Sequence, residues 1–208
     1  MARVRPGPDA APLRLGVFGG TFDPPHVGHV AVARDVADAL GLDRLLWVPA
    51  RIPPHKQDEA VSPPGLRLEM VRAAAAGDPR FEASDVELVR EGPSYTVDTL
   101  RELRGRFPTA ELFLVLGADQ VRTLEHGWKE PVEVLRLATL VLMDREGEAA
   151  PAVAPDLPGM ERAVHVQVTR VDVAATRIRA ALAAGDDASA QVPPGVLAVI
   201  RREGLYRA

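Results

Sequence analysis

The chain contains no cysteine, which rules out disulfides, thiolate catalysis and cysteine-type zinc sites and leaves the redox compartment open. It has no apolar run near the roughly 20 residues needed to cross a bilayer. A signal peptide is not expected. Arg3 and Arg5 are followed by Pro6, Gly7, Pro8 and Asp9, where an apolar stretch would have to stand. Residues 1–12 read as a flexible lead-in, and the cytoplasm is the expected location. There is no excess of positive charge: 25 Lys and Arg against 29 Asp and Glu leave −4. Bulk electrostatics therefore give no reason to expect a nucleic-acid partner, and a phosphate ligand must be held by local groups. No internal repeat is visible.

What is present is a core. The 208 residues are 47% hydrophobic, enough for one sizeable domain over 13–208 with a C-terminal helical segment. Strand-like runs at Leu13–Phe18, Arg44–Val48, Phe81–Leu88, Leu112–Leu116, Leu140–Met143 and Val164–Val168 are interleaved with helical patterns. The helices are expected over Val27–Leu40 with Gly41 as C-cap, Leu66–Ala76, Thr96–Gly105 with Thr96 as N-cap, Ala175–Ala184 and Pro194–Glu203. Pro49–Gly65 and Glu146–Gly159 read as loops. Such alternation implies crossover connections, hence an α/β fold with a doubly wound parallel sheet and helices on both faces. In that architecture ligands bind beyond the C-terminal strand ends.

The densest chemistry falls at such an end: Gly19-Gly20-Thr21-Phe22-Asp23-Pro24-Pro25-His26-Val27-Gly28-His29. The glycines let the backbone turn tightly and let a phosphate approach main-chain N–H groups. His26 and His29, three apart in a first helical turn, can face one side and donate to phosphate oxygens as charge develops. A lone His-x-x-His is usually a solvated helix start, but the glycine turn directly after the first strand removes this one from that class. Near the C-terminus, Thr176 stands at a helix entrance, where hydroxyl, N–H and dipole all favour an anion, and Arg179 follows one turn later with a permanently charged fork.

The first stretch resembles the His-x-Gly-His signature of the nucleotidyltransferase superfamily, whose sheet is Rossmann-like, and in its Gly-Gly-Thr-Phe-Asp-Pro form it resembles the bacterial nicotinate-nucleotide adenylyltransferases. The segment from Val173 to Arg179 is similar to the family's second signature, usually Ile-Ser-Ser-Thr-x-Ile-Arg, with Ala174 and Ala175 replacing two serines. Gly92-Pro93-Ser94-Tyr95-Thr96, Trp128 and the closing Gly204-Leu205-Tyr206 also match, so the resemblance runs from about Arg14 to Tyr206.

It implies transfer of AMP from Mg²⁺-bound ATP to nicotinate mononucleotide, with His29, His26, Lys56 and Arg179 catalytic. Gly19, Gly20, Thr21, Phe22, Gly117, Asp119 and Thr176 would join His26, His29 and Arg179 around ATP. Asp23, Lys56, Thr96, Trp128 and Arg145 would meet the mononucleotide. The resemblance implies no metal ligand from the protein and leaves open whether copies form a homo-oligomer. Other adenylyltransferases of the superfamily, acting on phosphopantetheine or nicotinamide mononucleotide, are the rival readings. A non-catalytic nucleotide-binding protein is a third, although it would be expected to have lost His29 or Arg179.

Overall fold

A computed structural model describes residues 11–52, 61–145 and 157–207. Within them six strands, β1 (Arg14–Gly20), β2 (Arg44–Pro49), β3 (Phe81–Ala83), β4 (Glu111–Leu116), β5 (Thr139–Arg145) and β6 (Val164–Val168), form one sheet in the order β3-β2-β1-β4-β5-β6. Every neighbouring pair is parallel. Parallel pairing requires a crossover between successive strands. The crossovers carry α1 (Val27–Ala39), α2 (Pro64–Ala75), α3 (Thr96–Arg106), and the short helices α4 (Ala118–Arg122), α5 (Leu124–Gly127) and α6 (Pro131–Leu137). After β6 come α7 (Ala175–Ala184) and α8 (Pro194–Glu203).

The strands are apolar on both sides because both faces are covered. Phe18, Trp47, Phe113 and Val115 pack into one core with α1, α2, α7 and α8. Leu15, Val17, Leu46 and Leu114, alternating with them, pack into a second core with α3 and α6. Each such side chain contributes roughly 1.5–3 kcal/mol on leaving water. The doubly wound α/β architecture and its Rossmann-like strand order are as the alternation and the resemblance imply.

Two local readings differ. The run Phe81–Leu88 is a strand only to Ala83. Beyond it the Ser84 hydroxyl accepts the Val86 N–H, and the Asp85 carbonyl accepts from Leu88 and Val89, so a turn takes over from the ladder. Thr96 is the first helical residue of α3, with Tyr95 as its N-cap. The stretch from Ala118 to Leu137, to which the sequence pattern assigns no element, contains three short helices, each too brief to show a helical period.

The order of strands fixes where a ligand can enter. The helix after β1 packs on one face and those after β4 on the other, so the C-terminal ends of these neighbours open a crevice at the topological switch point.

Candidate active site

The crevice is floored by the glycine turn that ends β1. A Cβ on Gly20 would stand 2.9 Å from the Phe22 ring, so only glycine lets that ring fold back beneath the turn. The Phe22 ring is buried edge-on to Phe18 and His29, with centroids 5.5 and 5.1 Å away. Its backbone is left-handed, φ +52, an uncommon conformation for a bulky residue. Phe22 therefore offers the crevice its main chain and not its ring.

His26 is the N-cap of α1 and His29 its third helical residue. The rings stack, 3.7 Å between centroids. The His29 Nδ1 accepts the His26 backbone N–H at 3.2 Å, the reciprocal half of a capping box played by an imidazole. With Nδ1 accepting, the proton of the neutral ring sits on Nε2, so His29 presents a donor even when uncharged. Burial lowers the His26 pKa from 6.5 to about 4. Burial, and then the charge of His26, holds His29 well below its ordinary value. Both are therefore neutral at pH 7. The His26 Nδ1 is buried without a partner among the described residues.

Gly28 joins this helix start to a second one. A Cβ there would lie 2.8 Å from Val173, just before α7, and 3.1 Å from the His26 Nδ1. Its absence lets the entrance of α7 close on that of α1. Arg179 then reaches back from α7, its Nη1 donating to the Asp23 carbonyl at 2.8 Å. Neither helix has a conventional Ser, Thr or Asp cap, so two positive dipole ends meet beside the histidines. Thr176 stands exposed in the first turn of α7.

A second group gathers at the start of α3, which faces the same sheet end because every crossover helix in a parallel sheet begins there. The Ser94 hydroxyl accepts the Arg51 N–H at 2.9 Å, and the Ser94 N–H donates to the Ile52 carbonyl at 3.2 Å. Below them the buried Glu87 carboxylate accepts the Thr99 hydroxyl at 2.7 Å, and Arg90 donates to that same hydroxyl at 3.0 Å. Burial raises the Glu87 pKa, against hydrogen bonds from Thr99 and Ser94 and the charge of Arg90. Lys129 pairs with Asp98 at 3.0 Å and lies 4.9 Å from the centre of the Tyr95 ring, which brings the neighbouring Trp128 toward this helix start. The Trp128 indole N–H donates to the Thr123 hydroxyl at 3.3 Å, and its ring is half-buried against the second core.

The structure thus brings together Gly19, Gly20, Thr21, His26, His29 and Arg179, with Thr176 at the adjoining helix start and Thr96 with Trp128 at a second group. Gly117 ends β4 beside them, its N–H donating to the Gln120 side chain at 3.3 Å. Asp23, expected at the mononucleotide, lies in the same turn. Its carboxylate is buried, accepting the Tyr206 hydroxyl at 2.5 Å and the Ser62 N–H at 3.2 Å, because the C-terminal segment returns under the turn. Lys56 lies outside the described residues, as do the side chains of Asp119 and Arg145. Arg67, Tyr206 and Glu87 were not expected from the sequence to bear on the site. Arg67 left one signal: with Met70, Val71 and Ala74 it falls at helical spacing on the buried stripe of α2.

Comparison with known proteins accords with this geometry. The cytidylyltransferase-like family model matches residues 17–181. A relative from Thermus thermophilus is 45% identical over 94% of this chain and 100% of that protein, and one from Rubrobacter xylanophilus is 42% identical over 94% and 93%. The chain belongs to the cytidylyltransferase-like family, among its nicotinate-nucleotide adenylyltransferases. Both relatives carry the name "Probable nicotinate-nucleotide adenylyltransferase". A solved nicotinic acid mononucleotide adenylyltransferase from Plasmodium falciparum, complexed with NaAD, superposes with a TM-score of 0.70 at 16% identity, covering 93% of this chain and 97% of that one. At that identity the likeness speaks for the fold alone. No helix among the described residues is long and apolar enough to cross a membrane.

Proposed function

We propose that the protein transfers AMP from ATP to nicotinate mononucleotide, releasing pyrophosphate and forming nicotinate adenine dinucleotide in the cytoplasm. The observation that carries this reading is the meeting of two helix starts, one bearing the stacked histidines and the other leading to Arg179, at the crevice between β1 and β4. The membership of the chain among nicotinate-nucleotide adenylyltransferases supports it. A phosphate oxygen of the mononucleotide attacks the α-phosphorus of ATP in line. A P–O bond forms there as the bond to the bridging oxygen breaks, and pyrophosphate leaves with the electron pair. The attacking phosphate has its second pKa near 6, so it is largely ionised at pH 7 and needs no general base. Catalysis is then positioning and charge stabilisation.

In this reading the Nε2–H of His29, His26, Lys56 and the Arg179 guanidinium surround the α-phosphate and the leaving group. Gly19, Gly20, Thr21 and Phe22 present main chain to the phosphates, with Thr176 beside them. Gly117 and Asp119 receive the ATP ribose. Thr96, Trp128 and Arg145 take the mononucleotide, while Asp23 supports the turn from below. Among the described residues no three His, Asp or Glu side chains converge as a metal cage. Oxygen-rich, water-retaining coordination suits Mg²⁺, and such an ion fits this crevice as part of Mg-ATP. Bound there it supplies neutralising charge on the leaving pyrophosphate.

The test is pyrophosphate release from Mg-ATP with each candidate acceptor. Nicotinate mononucleotide should exceed the nicotinamide form in kcat/KM by at least about tenfold. The N–H groups at the start of α3 pair with a carboxylate, whereas an amide NH₂ facing them leaves donors unpaired at roughly 1–3 kcal/mol each. Equal efficiencies would remove the carboxylate pocket from this reading, and turnover of phosphopantetheine alone would replace the reading.

Trp128→Ala should raise KM for the mononucleotide several-fold to about tenfold, since stacking on a ring is worth about 1 kcal/mol or slightly more. KM for ATP should hardly move. A common loss for both substrates would assign the tryptophan to folding alone.

A further inference from the structure

Beneath the glycine turn lies a cation that the reading above does not use. Arg67, on α2, is almost completely buried at 1% exposure. Its guanidinium makes three separate hydrogen bonds to main-chain carbonyls. Nε donates to Ser62 at 2.9 Å, Nη1 to Thr21 at 2.9 Å and Nη2 to Arg51 at 3.2 Å. The three acceptors come from three segments: the glycine turn, the chain leaving β2, and the chain entering α2. None of them lies in a strand or helix, so no ladder holds them in place. A rigid planar fork with donors in fixed directions can serve all three, and a single ammonium cannot.

Burial lowers the Arg67 pKa, opposed by the nearby Asp23 and Tyr206. Carrying a charge into the interior is expensive, and an apolar side chain would fill the same space more cheaply. What the guanidinium adds is the setting of three backbone carbonyls.

We propose that Arg67 is a positioning residue for nucleotide transfer: by drawing the Thr21 carbonyl inward it sets the main-chain surface that ATP phosphates meet. This rests on the adenylyl-transfer reading. In a trans peptide the C=O and N–H point in opposite directions, so the Phe22 N–H is directed away from Arg67. That N–H has no partner among the described residues. The left-handed backbone of Phe22 persists only where the surroundings over-determine it. Arg67 fixes one flank of that residue and the aromatic stack of Phe18, His29 and Trp47 fixes its ring. On the other flank the Asp23 carboxylate, countercharge to Arg67, is held by Ser62 and by the hydroxyl of Tyr206, itself left-handed at φ +60. The Asp23 carbonyl receives Arg179. The turn is thus held by three side chains from three distant parts of the chain.

The experiment compares the full-length wild-type protein with Arg67→Lys and Tyr206→Phe. It measures the Kd of a non-hydrolysable ATP analogue, steady-state kinetics with both substrates, and Tm. For R67K the analogue's Kd should rise about tenfold and kcat/KM for ATP should fall by a similar factor, since small misplacements of a binding surface are felt on that scale. KM for the mononucleotide should stay within about twofold. R67K with wild-type affinity for the analogue overturns the proposal, as does an equal loss for both substrates. Should R67K fail to fold, Y206F decides, because it removes one hydroxyl and keeps the ring. It should show the same ATP-selective loss at about threefold, the scale of one hydrogen bond, and wild-type behaviour would overturn the proposal. Failure of the underlying reading shows separately, as wild-type protein that binds the analogue but forms no dinucleotide; the analogue's Kd in the variants still decides the role of Arg67.

Discussion

His29→Ala should lower kcat by about 10²–10³-fold, the usual effect of removing one donor aimed at developing charge, while ATP affinity changes far less. The reason lies in how the ring is held. Its Nδ1 is occupied by the His26 N–H, so Nε2–H is the only donor the neutral imidazole can offer a ligand. A donor whose partner gains charge only as the α-phosphorus is attacked contributes more to the transition state than to binding. Alanine also strips the acceptor from the start of α1, and loss of a cap costs about 1 kcal/mol of stability. His29→Asn separates the two effects. Its side-chain oxygen can accept the His26 N–H, restoring the cap, but it places no donor where Nε2–H stands. Both variants should therefore lose turnover, with H29N the more stable of the two. Near-normal kcat in a folded H29N would remove His29 from the catalytic group.

The parts of this site that could be read from sequence are those whose meaning is local. Gly19 to His29 is an unbroken strand end, turn and helix start, and its spacing alone places both imidazoles on one face. Arg179 and Thr176 were legible for the same reason, as features of one helix entrance. The parts that could not be read join residues far apart in the chain. The Tyr206 hydroxyl meets a carboxylate 183 residues away, and Arg67 bonds a carbonyl 46 residues before it. Nothing in the neighbourhood of either residue announces the partner, because topology creates the contact. Asp23 shows the converse: a residue inside a strong local motif whose side chain is recruited inward by the distant C-terminus. The fold class was legible because buried parallel strands must be apolar on both faces. The end of β3 was not, because Ser84 and Asp85 turn the chain while apolar residues at every second position resume at Val86 and Leu88.

The stacked histidines should also make the protein acid-sensitive in a defined window. In the unfolded chain both imidazoles take protons near pH 6.5. In the folded protein His26 does so only at about 4, because burial disfavours the charged ring. His29 is held well below its ordinary value by burial and then by the charge of His26. Between those limits the unfolded state binds more protons than the folded one, so stability falls as pH falls. Above about pH 6.5 neither ring has an effect. A depression from 6.5 to about 4 corresponds to roughly 3 kcal/mol for His26 once pH reaches the lower value, at about 1.4 kcal/mol per pH unit. About 2 kcal/mol of this should already be lost at pH 5. His29 adds to the loss. Glu87 works the other way, since its raised pKa means the folded state takes up a proton first as pH falls. The total is therefore a difference, and single variants are needed to resolve it. Urea midpoints at pH 7.5 and pH 5 for wild type and His26→Asn give the comparison. H26N should lose less stability than wild type over this interval, by about 2 kcal/mol. Equal losses in the two proteins would mean that His26 is charged in the folded state at pH 5, and the buried, stacked arrangement of the rings would not describe the protein in solution.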